Sequence, residues 1–170
     1  MHFLGTGSQN DEGQKGGTRV ERTLLKGLNH ITLSVGDLSR SVTYYTELLG
    51  FSLHARWKEG AYLTLGRLWL CLVHDVQVRA RPLPEYTHFA LSVDPADFDA
   101  FSRKVTEDAH PTWKENTSEG RSIYLLDPDG HKLEVHAGSL ASRLATLREE
   151  PYDGLVLYGA EQVPSGDETS

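Results

Sequence analysis

The chain has 170 residues, enough for one compact domain or two small modules, with an ordinary soluble balance of 38% hydrophobic and 24% charged residues. Its net charge of −7 argues against a general nucleic-acid binder, which needs clustered Lys and Arg, but is compatible with a local basic pocket for a small anion. No apolar run approaches the roughly 18–20 residues that cross a bilayer, Met1–Gly7 lacks the basic flank and apolar core of a signal peptide, and Cys71 is the only cysteine. No membrane association, a cytoplasmic location and no intrachain disulfide are therefore expected.

Residues 1–23 are rich in Gly, Ser, Gln and charge without a hydrophobic period, and read as a flexible arm. A first strand is predicted over Gly27–Val35. Asp37 or Ser39 can cap the helix that follows, with Val42, Tyr45, Leu48 and Leu49 on one face and Gly50 at its C-terminal end. Strand-like runs follow at Phe51–Arg56, Ala61–Leu65 and Leu68–Val73, with Gly60 and Gly66 in the turns. The order then repeats. A strand is predicted over Tyr86–Val93, Asp94 and Pro95 suit a helix start, and Phe98, Phe101 and Val105 make a helical face. Strands follow near Thr112–Glu115, Ser122–Leu126 and Lys132–His136, with Asp127-Pro128-Asp129-Gly130 as a strong turn. A last helix is predicted over Leu140–Leu147, and residues 161–170 read as a flexible tail.

The pattern is βαβββ twice. Three consecutive strands after each helix favour an α+β fold, with curved mixed sheet around a cleft, over a doubly wound sheet. The strand Asn29-His30-Ile31-Thr32-Leu33-Ser34-Val35 returns, lightly edited, as Thr87-His88-Phe89-Ala90-Leu91-Ser92-Val93. A histidine at the same place in both copies suggests two half-modules sharing one metal, and Glu134 in Lys132-Leu133-Glu134-Val135-His136 is the third candidate ligand. Two imidazoles and a carboxylate suit a divalent first-row ion. The matching strand of module one, Leu68–Val73, supplies no hard ligand. Three protein ligands leave open positions, which is the catalytic pattern. Cys71, inside an apolar strand with no basic neighbour, reads as a small core residue and not as a nucleophile.

The motifs Leu-Asn-His-Ile-Thr (28–32), Arg-Trp-Lys-Glu-Gly-Ala-Tyr-Leu (56–63), Leu-Trp-Leu-Cys-Leu (68–72) and Tyr-Thr-His (86–88) occur in that order. Residues 113–124 (Trp-Lys-Glu-Asn-Thr-Ser-Glu-Gly-Arg-Ser-Ile-Tyr), residues 126–136 (Leu-Asp-Pro-Asp-Gly-His-Lys-Leu-Glu-Val-His) and Ser142-Arg143-Leu144 follow. Together they resemble the vicinal-oxygen-chelate (glyoxalase/bleomycin-resistance) superfamily, and within it the FosA-type fosfomycin-resistance enzymes, which are Mn-dependent glutathione transferases. The resemblance covers about residues 24–160, with module one at about 26–80 and module two at about 84–147.

It implies the metal ligands His30, His88 and Glu134, the trio already reached from the repeat. It implies fosfomycin and glutathione as substrates, one Mn²⁺ per site, and a homodimer in which His30 of one chain meets the other two ligands on its partner. Phosphonate binding falls to Lys114, Ser118, Tyr124 and Arg143, groups that can supply the charge and donors a dianion requires. Thr32, two residues beyond His30 on the same strand face, is placed to hydrogen-bond the epoxide oxygen. Trp69 would wall the oxirane and Tyr62 would favour the thiolate. The resemblance also implies a K⁺ site at Asn116, Ser118, Gly120 and Ser122. Two rivals stand beside it: a relative that opens the same epoxide with water or another thiol, for which Glu59 and Glu119 are the nearby acids, and a drug-sequestering protein that needs no metal ligands.

Overall fold

A computed structural model describes residues 24–117 and 120–158. The expected N-terminal arm and C-terminal tail lie outside the described residues. Module one comprises β1 (His30–Val35), α1 (Leu38–Thr43), β2 (Ser52–Trp57), β3 (Gly60–Leu65) and β4 (Leu68–His74). Module two comprises β5 (Phe89–Ser92), α2 (Phe98–Glu107), β6 (Thr112–Lys114), β7 (Arg121–Leu126) and β8 (Lys132–Ala137), followed by α3 (Leu140–Glu149).

Side-chain caps start two of the helices, α1 and α3. Asp37 accepts the Arg40 backbone N–H at 3.0 Å and starts α1, as the sequence predicts. A π turn over Tyr44–Leu48 continues α1, and Gly50 lies beyond it at φ 75°. Several boundaries differ from expectation; β5, for one, begins at Phe89 and not at Tyr86. β1 begins at His30, because Gly27 sits at φ 122°, outside the strand region. α2 begins at Phe98, because Asp94–Asp97 close a turn in which the Asp97 N–H donates to the Asp94 carbonyl at 2.9 Å. Asp94 and Pro95 therefore lie in that turn and not in the first helical turn. α3 runs two residues further, to Glu149, behind a Ser139/Ser142 capping box.

Each module builds its own four-stranded mixed sheet, in the orders β1-β4-β3-β2 and β5-β8-β7-β6. The first strand of each is parallel to the fourth, and the remaining pairs are antiparallel. The duplication extends to the register. Thr32 pairs Cys71 and Tyr62 pairs Cys71 in module one, while Ala90 pairs Glu134 and Tyr124 pairs Glu134 in module two. Even the edge irregularity repeats, between Leu53 and Ala55 on β2 and between Thr112 and Lys114 on β6. Cys71 is thus the module-one counterpart of Glu134, and it is buried.

Side-chain alternation assigns one face of the central strands to a core shared by both modules. Leu33, Val35, Leu63, Leu70 and Leu72 from the first sheet join Leu91, Leu125, Leu133 and Val135 from the second in one cluster, with Val42, Tyr45 and Leu48 packed among them. Each fully buried leucine contributes about 1.5–3 kcal/mol of burial energy. His30, Thr32, Ser34 and Tyr62 occupy the opposite faces, away from that core.

A polar clamp joins the modules. The Asp129 carboxylate, in the β7–β8 turn, accepts from the Gly36 backbone N–H at 3.0 Å, Arg40 Nη2 at 3.0 Å and Ser41 Oγ at 3.1 Å. Tyr45 donates to Asp127 Oδ2 at 2.9 Å, and His131 Nε2–H donates to the Ser34 carbonyl at 2.8 Å. Burial pushes the Asp127 carboxyl above its ordinary range despite these partners. Removing Asp129 would leave the buried Ser41 hydroxyl and the Gly36 N–H without their acceptor. Asp129→Ala is expected to cost about 2–4 kcal/mol, read as a lower urea midpoint with little change in slope. Arg40→Ala should cost less, because the Arg40 side chain is 53% exposed.

Candidate metal centre and substrate face

The two expected histidine ligands occupy equivalent places on the two sheets, and one of them, His88, meets Glu134. His88 stands immediately before β5 and Glu134 lies within β8, where it is buried. His88 Nε2 is 2.9 Å from Glu134 Oε2. His88 Nδ1 lies 2.8 Å from the Tyr86 carbonyl, which can only accept, so that nitrogen carries a proton. The other nitrogen then turns a lone pair toward a carboxylate oxygen. A positive charge has to stand between them, either a proton or a metal ion. This is the donor chemistry of a first-row metal site, with the second imidazole nitrogen already held by a carbonyl as such ligands require.

His30 is not brought to that pair within the chain. Among the described residues, no group of three or more His, Cys, Asp or Glu side chains could hold one ion. His30 is exposed at the start of β1. Its Nδ1–H donates to Asn29 Oδ1 at 2.7 Å, which leaves Nε2 as the available donor atom, as at His88. Both histidines are thus set in the same tautomer by a neighbouring oxygen.

Glu134 is held by more than His88. Ser122 Oγ–H donates to Glu134 Oε1 at 2.6 Å, and His136 Nδ1 lies 2.8 Å from that hydroxyl. Burial alone would raise the Glu134 carboxyl. The hydrogen bonds from Ser122 and His88, with the nearby His136 and His88 charges, outweigh it and hold the group below its ordinary value.

On module one the residues expected to face the substrate form an aromatic row. Trp69 packs against the His30 ring at 4.7 Å and the Tyr62 ring at 5.2 Å, and Tyr62 packs against Trp57 at 4.8 Å. Tyr62 is 40% exposed, so its hydroxyl is accessible to a bound molecule. Thr32 is exposed two residues from His30 on the same face. On module two, Tyr124 is buried against Trp113 at 5.2 Å and His88 at 6.1 Å. Lys114 Nζ lies 4.8 Å from the ring centres of both Tyr86 and Tyr124 and donates to the Tyr86 hydroxyl at 2.7 Å, which holds its ammonium above the ordinary value. Arg143 lies on α3. Asn116 Nδ2–H donates to the Gly120 carbonyl at 2.8 Å, so two of the expected K⁺ residues face one another. Ser118 lies outside the described residues.

Sequence reasoning singled out no role for Trp57, Tyr86, Trp113 or His136, and placed Ser122 only in the K⁺ loop. His136 was legible in principle, two residues from Glu134 and so on the same face. The Ser122 hydroxyl depends on the β7–β8 register, which no local signal in the sequence reports.

Because the Glu134 carboxyl is depressed in the folded state, its stabilising contribution is complete above its ordinary value of 4.5 and is lost as pH falls through the lower folded value. Glu134→Gln should remove that part of the acid limb of the stability curve. Subtracting the variant's urea-unfolding profile from the parent's isolates it, and a difference that does not change below pH 4.5 would contradict the assignment.

Residues 27–135 match the Glyoxalase/Bleomycin resistance protein/Dioxygenase superfamily. The chain is 53% identical over 140 residues to the glutathione transferase FosA of Serratia marcescens, covering 81% of this chain and 99% of that protein. It is 36% identical over 138 residues to the metallothiol transferase FosB of Shouchella clausii, covering 78% of this chain and 94% of the relative. A solved variant of the Listeria monocytogenes fosfomycin resistance protein FosX, complexed with Mn(II) and 1S,2S-dihydroxypropylphosphonic acid, superposes with a TM-score of 0.64 at 26% identity, covering 71% of this chain and 99% of that one. On its sequence, its duplicated βαβββ sheets and these relatives, the chain belongs to the glyoxalase/bleomycin-resistance superfamily, on the branch that contains the Fos fosfomycin-resistance proteins.

Proposed function

We propose that this protein inactivates fosfomycin by transferring glutathione to its epoxide. The observation that carries the reading is the 53% identity to a glutathione transferase FosA across 99% of that relative, against 36% to FosB and 26% to FosX. The reaction balances as a ring opening: the glutathione sulfur forms a bond to one oxirane carbon, the carbon–oxygen bond breaks, and the thiol proton ends on the released oxygen.

His30, His88 and Glu134 are the residues that would hold the metal, Mn²⁺ in this reading. When bound, such an ion supplies Lewis-acid stabilisation of the charge that develops on the epoxide oxygen. The remaining roles belong to the chain. Lys114 and Arg143 bind the phosphonate, with Ser118 and Tyr124, as fixed donors and charges. Thr32 hydrogen-bonds the epoxide oxygen from the His30 face. Trp69 excludes water beside the oxirane. Tyr62 donates to the glutathione sulfur and favours its ionised form. A K⁺ ion in the loop of Asn116, Ser118, Gly120 and Ser122 would add positive potential near the phosphonate. The protein acts as a cytoplasmic homodimer in which each site combines His30 of one chain with His88 and Glu134 of the other.

Hydrolytic opening is the second reading, favoured by the fold likeness to FosX, whose solved complex contains a dihydroxypropylphosphonic acid. Of the two acids considered for it, Glu59 accepts from His74 Nδ1–H at 3.1 Å, at the far end of β4 from Trp69, and Glu119 lies outside the described residues.

Metal-stripped protein incubated with fosfomycin and glutathione, with and without Mn²⁺, tests the proposal by mass spectrometry of the small molecules. A Mn²⁺-dependent glutathione adduct is expected, and a diol without adduct would move the assignment to the hydrolase. Lys114→Ala and Arg143→Ala should each raise KM for fosfomycin by about 10-fold or more, a loss of about 1.4 kcal/mol or more, with little change in KM for glutathione. Equal effects on both substrates would contradict the phosphonate role.

A further inference from the structure

We propose that Ser122 and His136 are positioning residues that act in series on Glu134. His136 orients the Ser122 hydroxyl, the hydroxyl fixes one carboxylate oxygen, and the other oxygen is thereby presented to His88. The inference rests on the reading of Glu134 as a metal ligand.

Proton bookkeeping sets the direction of the chain. Ser122 Oγ has one hydrogen and two neighbours, Glu134 Oε1 at 2.6 Å and His136 Nδ1 at 2.8 Å. An ionised carboxylate can only accept, so the hydroxyl donates to Glu134 and His136 Nδ1–H donates to the hydroxyl. Direct contact between His136 and Glu134 is too long for a hydrogen bond, at 3.6 Å. His136 therefore reaches the carboxylate through Ser122. Glu134 Oε1 is committed to this chain, and Oε2 faces His88 Nε2.

The histidine ring sits in a niche that only glycine permits. A Cβ at Gly120 would lie 2.8 Å from His136 Cε1, and a Cβ at Gly138 would collide with His136 Nε2. Ser122 and Glu134 are themselves buried, so neither can trade its partner freely for water.

The duplication supplies an independent argument. Ser122 pairs His136 and Tyr124 pairs Glu134 in module two, where module one has Gly60 pairing Val73 and Tyr62 pairing Cys71. The tyrosine is present in both copies. The carboxylate, the hydroxyl and the second imidazole are present together in one copy and replaced together, by Cys71, Gly60 and Val73, in the other. Ser122 and His136 go with the carboxylate and not with the sheet.

The test is calorimetric titration of full-length, metal-stripped protein with Mn²⁺, with thermal unfolding of the metal-free proteins beside it. Ser122→Ala is expected to weaken Mn²⁺ binding about 10–100-fold, the usual cost of losing an outer-shell partner. His136→Leu should weaken it about 10-fold, while His136→Asn, whose amide can donate in place of Nδ1–H, should stay within about 3-fold of the parent. The double variant Ser122→Ala/His136→Leu should bind no worse than Ser122→Ala, because the two act in series. Additive losses, or equal losses for His136→Leu and His136→Asn, would overturn the proposal. So would parental binding by Ser122→Ala when Glu134→Gln has lost the metal. Parental binding by Glu134→Gln would instead remove the ligand reading beneath it. If Ser122→Ala does not fold, the Leu and Asn variants at His136 decide the question alone.

Discussion

A strand has two faces, and here one face of the central strands in both sheets is taken by a single core. Leu33 and Val35 on β1, and Leu133 and Val135 on β8, turn inward to the same cluster. The two-residue period then leaves no choice for the residues between them. His30 and Thr32 face away on one sheet, and Glu134 faces away on the other with Ser122 and His136 beside it. The clamp at Asp129 locks this arrangement by bonding the β7–β8 turn of module two to the start of α1 in module one. Two half-sites held back to back on one core cannot close on each other. In the proposed dimer a second copy of the chain would complete the ligand set without disturbing a core residue.

Duplication made this architecture and divergence made it useful. The two modules keep the same strand order, the same pairing and the same edge irregularity. Their outer faces differ in chemistry. Module one carries a row of rings, from His30 through Trp69 and Tyr62 to Trp57. Module two carries the carboxylate, its hydrogen-bonding partners and a lysine set between two tyrosine rings. In the proposed reaction the first face would take the apolar and thiol side of the ring opening. The second would take the anionic end of the substrate.

Much of this was legible in the sequence because it is periodic or local. Alternating strands, the repeated histidine, the Asp37 cap and Gly50 beyond the first helix depend on residues within a turn or two of each other. The pairing of His88 with Glu134 followed from the repeat and the strand pattern together. What escaped depends on register across the sheet or on contact between modules. Nothing local joins Ser122 to His136, 14 positions away, or Asp129 to Ser41, 88 positions away. The late start of α2 escaped for a different reason: Asp94 and Pro95 suit a turn as well as a helix start, and the turn uses the Asp97 N–H.

The proposed reaction depends on a metal site shared between two chains, and a hybrid dimer tests that most directly. One chain would carry His30→Ala and the other Glu134→Gln, with different tags so that the mixed dimer can be purified. Each variant alone should be inactive as a homodimer. In the hybrid, one site gathers both substitutions, and the other pairs an intact His30 with an intact His88 and Glu134. About half the parental activity and one tight Mn²⁺ site per hybrid dimer are expected. A hybrid as inactive as its parents, with no tight Mn²⁺ site, would contradict the shared site.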